Sequence, residues 1–409
     1  MLTLFESMMV VAGFIVLAAC GYLALLAVMA RRHKHSPDPC RFSLDHERLY
    51  CETSFDIIVP AHEEADNIGA TIDSLIRIDY PKEKRRIIVI ADNCSDNTAS
   101  VAEGHGAIVW ERRNPRKRGK GFALTWAFEK SLSDNIADAV VVIDADTLVS
   151  PNLLRAFAAR IAGGARAMQA EYGVRNPDDS WRTVLMTLAL ALFHKVRSLG
   201  RERLGLSAGL RGNGMCFTSD LLIQCPHQAF SVVEDLEHGL NLGEQEVRVH
   251  YVAEAEVLGE MPAGDQASRV QRARWEAGRI VLARERFVGL FVEAVRRRSA
   301  LMLDLAVDLI LPPLSTLGGW AACGLIGSVT LSLIAGSPGI YLWLFTAACI
   351  LLLLHLIRGL MLSGMGWKGV QVFMWAPVYL FWRLFKVTGH RRRASSEWER
   401  TPRKKRVAG

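Results

Sequence analysis

Residues 8–30, MMVVAGFIVLAACGYLALLAVMA, contain no charged side chain. As an α-helix such a run is about 34 Å long, enough to cross a hydrocarbon core. A secretory leader is the alternative. Against it, the run is too long, Glu6 stands where Lys or Arg is usual, and no clear A-x-A site succeeds it. The run therefore reads as a retained anchor. Basic residues flanking a span stay inside, so Arg31-Arg32-His33-Lys34-His35 puts the chain beyond residue 35 in the cytoplasm.

A second apolar region begins near Leu301. Residues 314–336 and 339–357 each read as a span, separated by the turn Gly336-Ser337-Pro338-Gly339. Two spans return the chain to the cytoplasm. The segment 367–387 is apolar and rich in Trp, Phe and Tyr, but holds Pro377, Arg383 and Lys386. Crossing would put the basic tail HRRRASSEWERTPRKKR outside, so an interfacial helix is expected, with full spanning as the rival. Asp304 and Asp308 make 300–312 interfacial too. The tail is suited to anionic lipid, or is simply a solvated end. The expected layout is an anchor and basic linker (1–50), a cytoplasmic domain (51–300), a membrane region (301–388) and a basic cytoplasmic tail (389–409).

Composition agrees with such a mixture. Half of the 409 residues are hydrophobic, yet 22% are charged, and mean hydropathy is +0.17. A disordered or collagen-like chain is excluded. Eight cysteines without a C-x-x-C pair are too sparse for a disulfide scaffold and argue against a zinc ribbon. The net charge of +7 matters only where it is concentrated.

Within 51–300, Phe55–Pro60, Arg86–Ala91 and Ala139–Asp144 are short apolar runs that read as buried strands. Ile68, Ile72, Leu75 and Ile76 have the spacing of a helix face; further helices come after Asp96-Asn97-Thr98 and run over 121–132. The alternation predicts an α/β domain with a mostly parallel, doubly wound sheet, whose ligands sit beyond the carboxyl ends of the strands. Acidic clusters stand at those ends: HEE, ADNCSD and DAD. In an extended chain Asp144 and Asp146 point the same way and suit one hard cation, Mg²⁺ or Mn²⁺. Solvation of a strand end is the plainer use of a lone D-x-D.

Its neighbourhood sharpens the choice. Arg112, Arg113, Arg116, Lys117, Arg118 and Lys120 precede a helix start behind Gly119-Lys120-Gly121, an arrangement that attracts anions. It is not a P-loop, because Phe122 comes directly after Gly121. Nucleic-acid binding is the alternative use, but no RNA-binding motif or aromatic platform accompanies the loop, and no nucleic-acid partner is expected. The absence of G-x-G-x-x-G after a strand argues against a nicotinamide or flavin cofactor. Further on, Glu234-Asp235 could take a proton from a hydroxyl or serve as helix N-terminal charge. In Gln271-Arg272-Ala273-Arg274-Trp275, Arg can neutralise a diphosphate, and Trp can stack on a sugar or simply pack.

Taken in series, IIVPAHEEADNI, IVIADNCSD, KRGKGFAL, VVIDADT, RGNGMCF, VVEDLEHG and QRARW resemble the inverting glycosyltransferases of family 2. The likeness is to the membrane-bound branch with hyaluronan, chitin, cellulose and poly-N-acetylglucosamine synthases. It covers roughly 55–275 and implies a GT-A-like fold and a nucleoside-diphosphate sugar donor, most often UDP-linked. By that resemblance Glu64 and Asp92 hold ribose and base, with Pro60 and Ala61 giving main-chain contacts and Lys120 near the donor. Asp144 and Asp146 hold sugar and metal. Asp235 is the general base with Glu234 beside it. Gln271, Arg274, Trp275 and Asn213 serve diphosphate and acceptor. Glu63 departs from the pattern, which often has Asn there. The acceptor stays open between a growing polysaccharide and a lipid receiving one sugar. Three spans make a thin wall for a polymer channel, unless a second copy or an export partner widens it.

Overall fold

The computed structural model of the protein describes residues 2–31, 52–261 and 265–372, with 2–3 and 265–272 as backbone alone. The elements fall into two compact units that do not follow sequence order. One comprises 2–31, 187–204 and 310–372 among the described residues; the other comprises 52–186 and 205–309.

In the first unit lies α1 (Leu2–Met29). The second unit is built on a sheet. Its strands β1 (Phe55–Ala61), β2 (Arg85–Asp92), β3 (Ile108–Arg112) and β4 (Ala139–Val142) are parallel. Between them run α2 (Ile68–Ile76), α3 (Thr98–Gly104) and α4 (Lys120–Asp134), the crossovers that parallel strands require. Then come β5 (Thr147–Val149), α5 (Leu153–Ala162), β6 (Ala167–Val174), β7 (Met215–Thr218) and β8 (Val249–Gly259). The strand order is β3-β2-β1-β4-β7-β6-β8-β5. Four of the seven pairings are parallel and three, all involving β7 or β5, are antiparallel. The sheet is mostly parallel, as expected, with a reversed strand set beside β4.

Every residue of β1 is buried. Ile57 and Val59 pack with Ile68, Ile72 and Leu75 of α2 and Phe157 of α5. Ile58 faces the other way, towards Leu124 and Phe128 of α4. Helices on both faces are why these strands read as unbroken apolar runs. Each large side chain so buried contributes about 1.5–3 kcal/mol. After β1 the chain builds β2 and β3 on one side and β4 on the other, so the order reverses between β1 and β4. A crevice opens beyond the strand ends at such a switch point.

The chain passes through α6 (Trp181–Leu190), a wider turn over 191–196 and α7 (Arg197–Leu204). It continues as α8 (Ser219–Gln224), α9 (Glu234–Glu244), α10 (Asp265–Arg297) and α11 (Ala300–Ile310). Met302, Leu305, Ala306 and Leu309 of α11 pack with Leu282, Leu290 and Ala294 of α10. On the same helix Asp304 and Asp308, expected at an interface, are buried.

Helices α12 (Leu314–Ala335) and α13 (Ile340–Ser363) complete the first unit. With α1 they are long and apolar enough to cross a membrane. Both end on a glycine with positive φ, Gly336 and Gly364, a backbone that other residues adopt only at a cost. Helix α13 runs past the expected limit at 357. Arg358, at that limit, gives its Nε–H to the Ala30 carbonyl at 2.9 Å, so a charged residue there does not end the helix. A part of the chain expected in the cytoplasmic domain, 187–204, packs instead in this unit. Gly200 lies against the Leu26 main chain, Gly359 against Leu192, and the fully buried Arg201 donates to the Tyr22 hydroxyl at 2.6 Å. Most of the segment 367–387, together with the tail 389–409, lies outside the described residues.

Candidate active site

The crevice is walled first by the ends of β1 and β2. Pro60 and Ala61 close β1 and Asp92 closes β2. His62 Nδ1 lies 2.7 Å from the Asp92 carbonyl, so the two strand ends are tied together. The Asp92 side chain is buried. Arg112 Nη1 donates to its Oδ1 at 2.5 Å, and Asn93 Nδ2 to the same oxygen at 2.9 Å. Its Oδ2 is buried without a hydrogen-bond partner among the described residues. A buried carboxylate oxygen left unspent is an acceptor that calls for a ligand donor. Arg112 also donates to the Lys117 carbonyl at 2.9 Å, which fastens the basic loop to this strand end. Glu64 receives a hydrogen bond from Asn67 Nδ2 at 2.8 Å.

Glu63 has φ of +57°. For a residue with a Cβ that conformation costs about 1–2 kcal/mol, and Asn tolerates it better. The departure is offset locally: Ser95 donates to Glu63 Oε1 from its amide at 2.6 Å and its hydroxyl at 2.9 Å. The turn is kept by other means.

Beyond β4 stand Asp144 and Asp146. Extended chain does not align them, as the sequence suggested; they lie on a tight turn in which the Thr147 amide donates to the Asp144 carbonyl at 3.2 Å. After the turn the chain enters β5, which pairs antiparallel with β8 and not with β4. Ala145 between them is buried, so both carboxylates still leave the core. The loop 211–214 enters from β7, the antiparallel neighbour of β4. Asn213 receives the Asp144 amide at 3.1 Å and donates to Thr147 Oγ1 at 2.8 Å.

Lys120, first residue of α4, joins the rest. Its Nζ donates to Asp144 Oδ1 at 2.5 Å and to the Gly212 carbonyl at 2.6 Å, and lies 3.8 Å from Glu234 Oε1. Glu234 and Asp235 open α9. The Leu236 amide donates to Asp235 Oδ1 at 2.8 Å. Gly212 has φ of +79°, and a Cβ there would come 3.4 Å from Asp235 Oδ2. Burial pushes the Glu234 carboxyl up to about 7, against the pull of Lys120 and with a further push from Asp235. Asp235 is raised as well, first by burial. Two adjacent carboxylates in such a place hold protons more tightly than free ones.

Sequence reasoning missed the supports. Gln169, fully buried in β6, donates to the Asn213 carbonyl at 2.7 Å and accepts from the Arg211 amide at 2.8 Å, which fixes the 211–214 loop. A glutamine in the middle of an apolar strand was the available signal. His238 lies one turn after Asp235, its ring 4.7 Å from that of His227, which hydrogen-bonds Thr125 Oγ1 at 2.8 Å. Burial lowers His238 to about 4, and His227 to about 3 with help from His238 and Lys120. Both are neutral at physiological pH.

Helix α10 carries Gln271, Arg274 and Trp275. The Gln271 side chain is outside the described residues. Arg274 Nε is buried without a hydrogen-bond partner among the described residues, and Trp275 is 37% exposed. One turn later Gly278 packs on Val233, the residue before Glu234; a Cβ at 278 would meet Val233 Cγ1 at 3.0 Å. The structure thus links Lys120 directly to Asp144 and Glu234, and Asp144 to Asn213, with Asp235 next to Glu234, and brings α10 through Gly278 against Val233, just before the acid pair. Among the described residues no three His, Cys, Asp or Glu side chains form a metal cage.

Comparison with known proteins gives this arrangement relatives. The model of glycosyltransferase-like family 2 matches residues 53–278. A probable glycosyltransferase of Sulfolobus acidocaldarius is 26% identical over 240 residues, 56% of this chain and 50% of that protein. The 4,4'-diaponeurosporenoate glycosyltransferase of Staphylococcus aureus is 28% identical over 128 residues, 31% of this chain and 30% of that one. The chain thus spans half or less of the length of these relatives. Among solved structures, the mannosyltransferase PcManGT of Pyrobaculum calidifontis, in complex with GDP-Man and Mn²⁺, superimposes with a TM-score of 0.54 at 17% identity, over 88% of this chain and 98% of that one. The fold is GT-A-like. The chain belongs to glycosyltransferase family 2.

Proposed function

We propose that this family 2 chain is an inverting, metal-dependent glycosyltransferase that moves a sugar from a nucleoside-diphosphate donor to an acceptor hydroxyl at the cytoplasmic face of a membrane, in the synthesis of a cell-surface glycan. The observation that carries the reading is the linkage of Asp144 through Lys120 to Glu234, in the half-buried Glu234–Asp235 pair. It sets a donor-type carboxylate and a proton acceptor in one crevice.

In this reading the nucleoside, most often uridine in the related branch, lies at the β1–β2 ends. The unspent Asp92 oxygen accepts from the base, Glu64 from the ribose, and Pro60 and Ala61 offer main-chain groups. Asp144 and Asp146 supply hard oxygen ligands. Two carboxylates suit Mg²⁺ or Mn²⁺, which keeps water and shares phosphate oxygens. When bound, the ion supplies Lewis-acid charge on the diphosphate. Arg274 adds positive charge towards the departing diphosphate, and by the resemblance Trp275 and Gln271 serve the acceptor. Asn213 keeps Asp144 in place through its main chain. Asp235, its proton affinity raised by burial, takes the proton from the acceptor hydroxyl as that oxygen attacks the anomeric carbon opposite the nucleotide. Configuration inverts.

The basic flank after α1 orients the crevice-bearing unit to the cytoplasm. The related branch extends polysaccharides, and we carry that as the first reading of the product. The second, one sugar added to a lipid, is favoured by the three candidate spans among the described residues. Purified protein in lipid, supplied with nucleotide-sugars and Mn²⁺ or Mg²⁺, decides between them by product mass. A ladder of sugar or disaccharide increments means a processive synthase; one increment on a lipid means single transfer. No nucleoside-diphosphate release with any donor would overturn the transferase reading.

A further inference from the structure

Four carboxylates stand about the crevice: Asp144 and Asp146 after β4, Glu234 and Asp235 at the start of α9. Lys120 stands between the two pairs. Its ammonium holds Asp144 at 2.5 Å and the Gly212 carbonyl at 2.6 Å, with Glu234 at 3.8 Å, and its side chain is 16% exposed. Neither end of this bridge slides easily. Gly121, the next residue, is wedged against the Ala229 carbonyl, and Asn213 holds the Asp144 amide at 3.1 Å. A lysine so held occupies an oxygen that a divalent ion would also use.

We propose that Lys120 is a resident counter-cation that competes with the metal for Asp144 and makes metal uptake conditional on the nucleotide. The proposal rests on the metal-dependent donor reading of the same site. Without nucleotide, a divalent ion at Asp144 would face the ammonium at short range, and two like charges so close repel. Moving the ammonium away alone would take from the half-buried Glu234 the cation that lies 3.8 Å from it, which costs free energy. A diphosphate removes both obstacles. Its negative charge gives the ammonium a new partner as the ion takes the carboxylate, so no charge is left alone. Metal and donor are then taken up together, and Lys120 is a positioning residue for that step.

The test is Mn²⁺ binding to the whole protein in lipid nanodiscs, read from the spin-resonance signal of free Mn²⁺, alone and with UDP or GDP. In the unaltered protein one nucleotide should tighten Mn²⁺ at least about tenfold. Lys120→Met should tighten nucleotide-free Mn²⁺ by about tenfold and shrink the nucleotide effect by the same factor. Lys120→Gln, which keeps a donor for the Gly212 carbonyl, should behave likewise if the Met variant fails to fold. Lys120→Arg keeps the charge and should keep the conditional pattern. Nucleotide-free affinity unchanged or weakened in the folded neutral variants overturns the proposal while leaving the metal reading intact. No Mn²⁺ uptake by the unaltered protein with either nucleotide, or full uptake by Asp146→Asn, overturns the metal reading and the proposal with it.

Discussion

At the end of β2, Asp92 is buried beside Arg112, one guanidinium for one carboxylate at 2.5 Å. At the start of α9, Glu234 and Asp235 stand half-buried side by side, and Glu234 lies 3.8 Å from the ammonium of Lys120 that also holds Asp144. The two regions line the same crevice with the same functional group and treat its charge in opposite ways. The first gives its carboxylate a dedicated partner and leaves one oxygen for a ligand, which suits recognition. The second under-compensates its charge, so that burial raises both groups and Glu234 reaches about 7. That suits proton transfer near neutral pH. Fixed charge and exchangeable proton are kept apart, one at the end of β2 and the other at the start of α9.

The sharpest way to break this contrast is Asp235→Asn. It removes the proposed base at nearly constant shape and should lower kcat by about 10³-fold, with nucleotide affinity in a titration close to that of the unaltered protein. A parallel loss of nucleotide binding would put Asp235 on the recognition side. Arg112→Met attacks the other region. It leaves Asp92 buried without its partner, at a cost of about 3–5 kcal/mol, seen as a lower unfolding midpoint and weaker nucleotide binding; if both stay put, the pairing is incidental.

The buried imidazoles behind the acid pair give a pH test. His227 and His238 are lowered to about 3 and about 4 from 6.5, so the unfolded chain binds protons first as pH falls. Their neutral packing is fully favourable above about pH 6.5 and is lost progressively towards about pH 4, by roughly 3 kcal/mol for each ring. His238→Phe should flatten that acid limb in denaturation midpoints taken across pH, and an unchanged limb would remove the pair from the account. The smallest effect is expected at Glu63→Asn. Relief of the positive φ and loss of the Ser95 contacts nearly cancel, leaving stability within about 1 kcal/mol of the unaltered protein. A larger fall in midpoint would mean that the Ser95 bonds, and not the backbone, hold the turn.

The parallel half was readable in the sequence because burial on both faces gives unbroken apolar runs ended by polar clusters: 55–60, 86–91 and 139–144 became β1, β2 and β4 with Asp92 and Asp144 at their ends. The rest of the sheet was not. Strand β6 contains Gln169 and Glu171, and β8 mixes His250, Glu254 and Glu256 into its run, so neither stood out from its surroundings. The turn that carries Asp146 depends on β5 pairing with β8 a hundred residues later, a contact that local periodicity does not encode. Asp144, Asp146, Glu234 and Asp235 were visible as a series of motifs. That Lys120 bridges the two pairs needed the fold, since its partners lie 24 and 114 positions away. The support from Arg112 was hidden for the same reason: it was read with the basic loop, and it acts on Asp92.

The segment 187–204 has a practical bearing on how this molecule can be taken apart. It lies in the middle of the family-matched stretch 53–278, yet Gly200 is moulded to the α1 backbone and Gly359 of α13 to Leu192. A fragment cut at 52 and 300 to obtain a water-soluble enzyme would keep this segment and discard both of the helices that shelter it. Val196, Leu199 and the Arg201 guanidinium, all buried in the intact chain, would be laid open together. Such a fragment should clump or demand detergent, and soluble dissection would have to replace 187–204 as well as trim the ends.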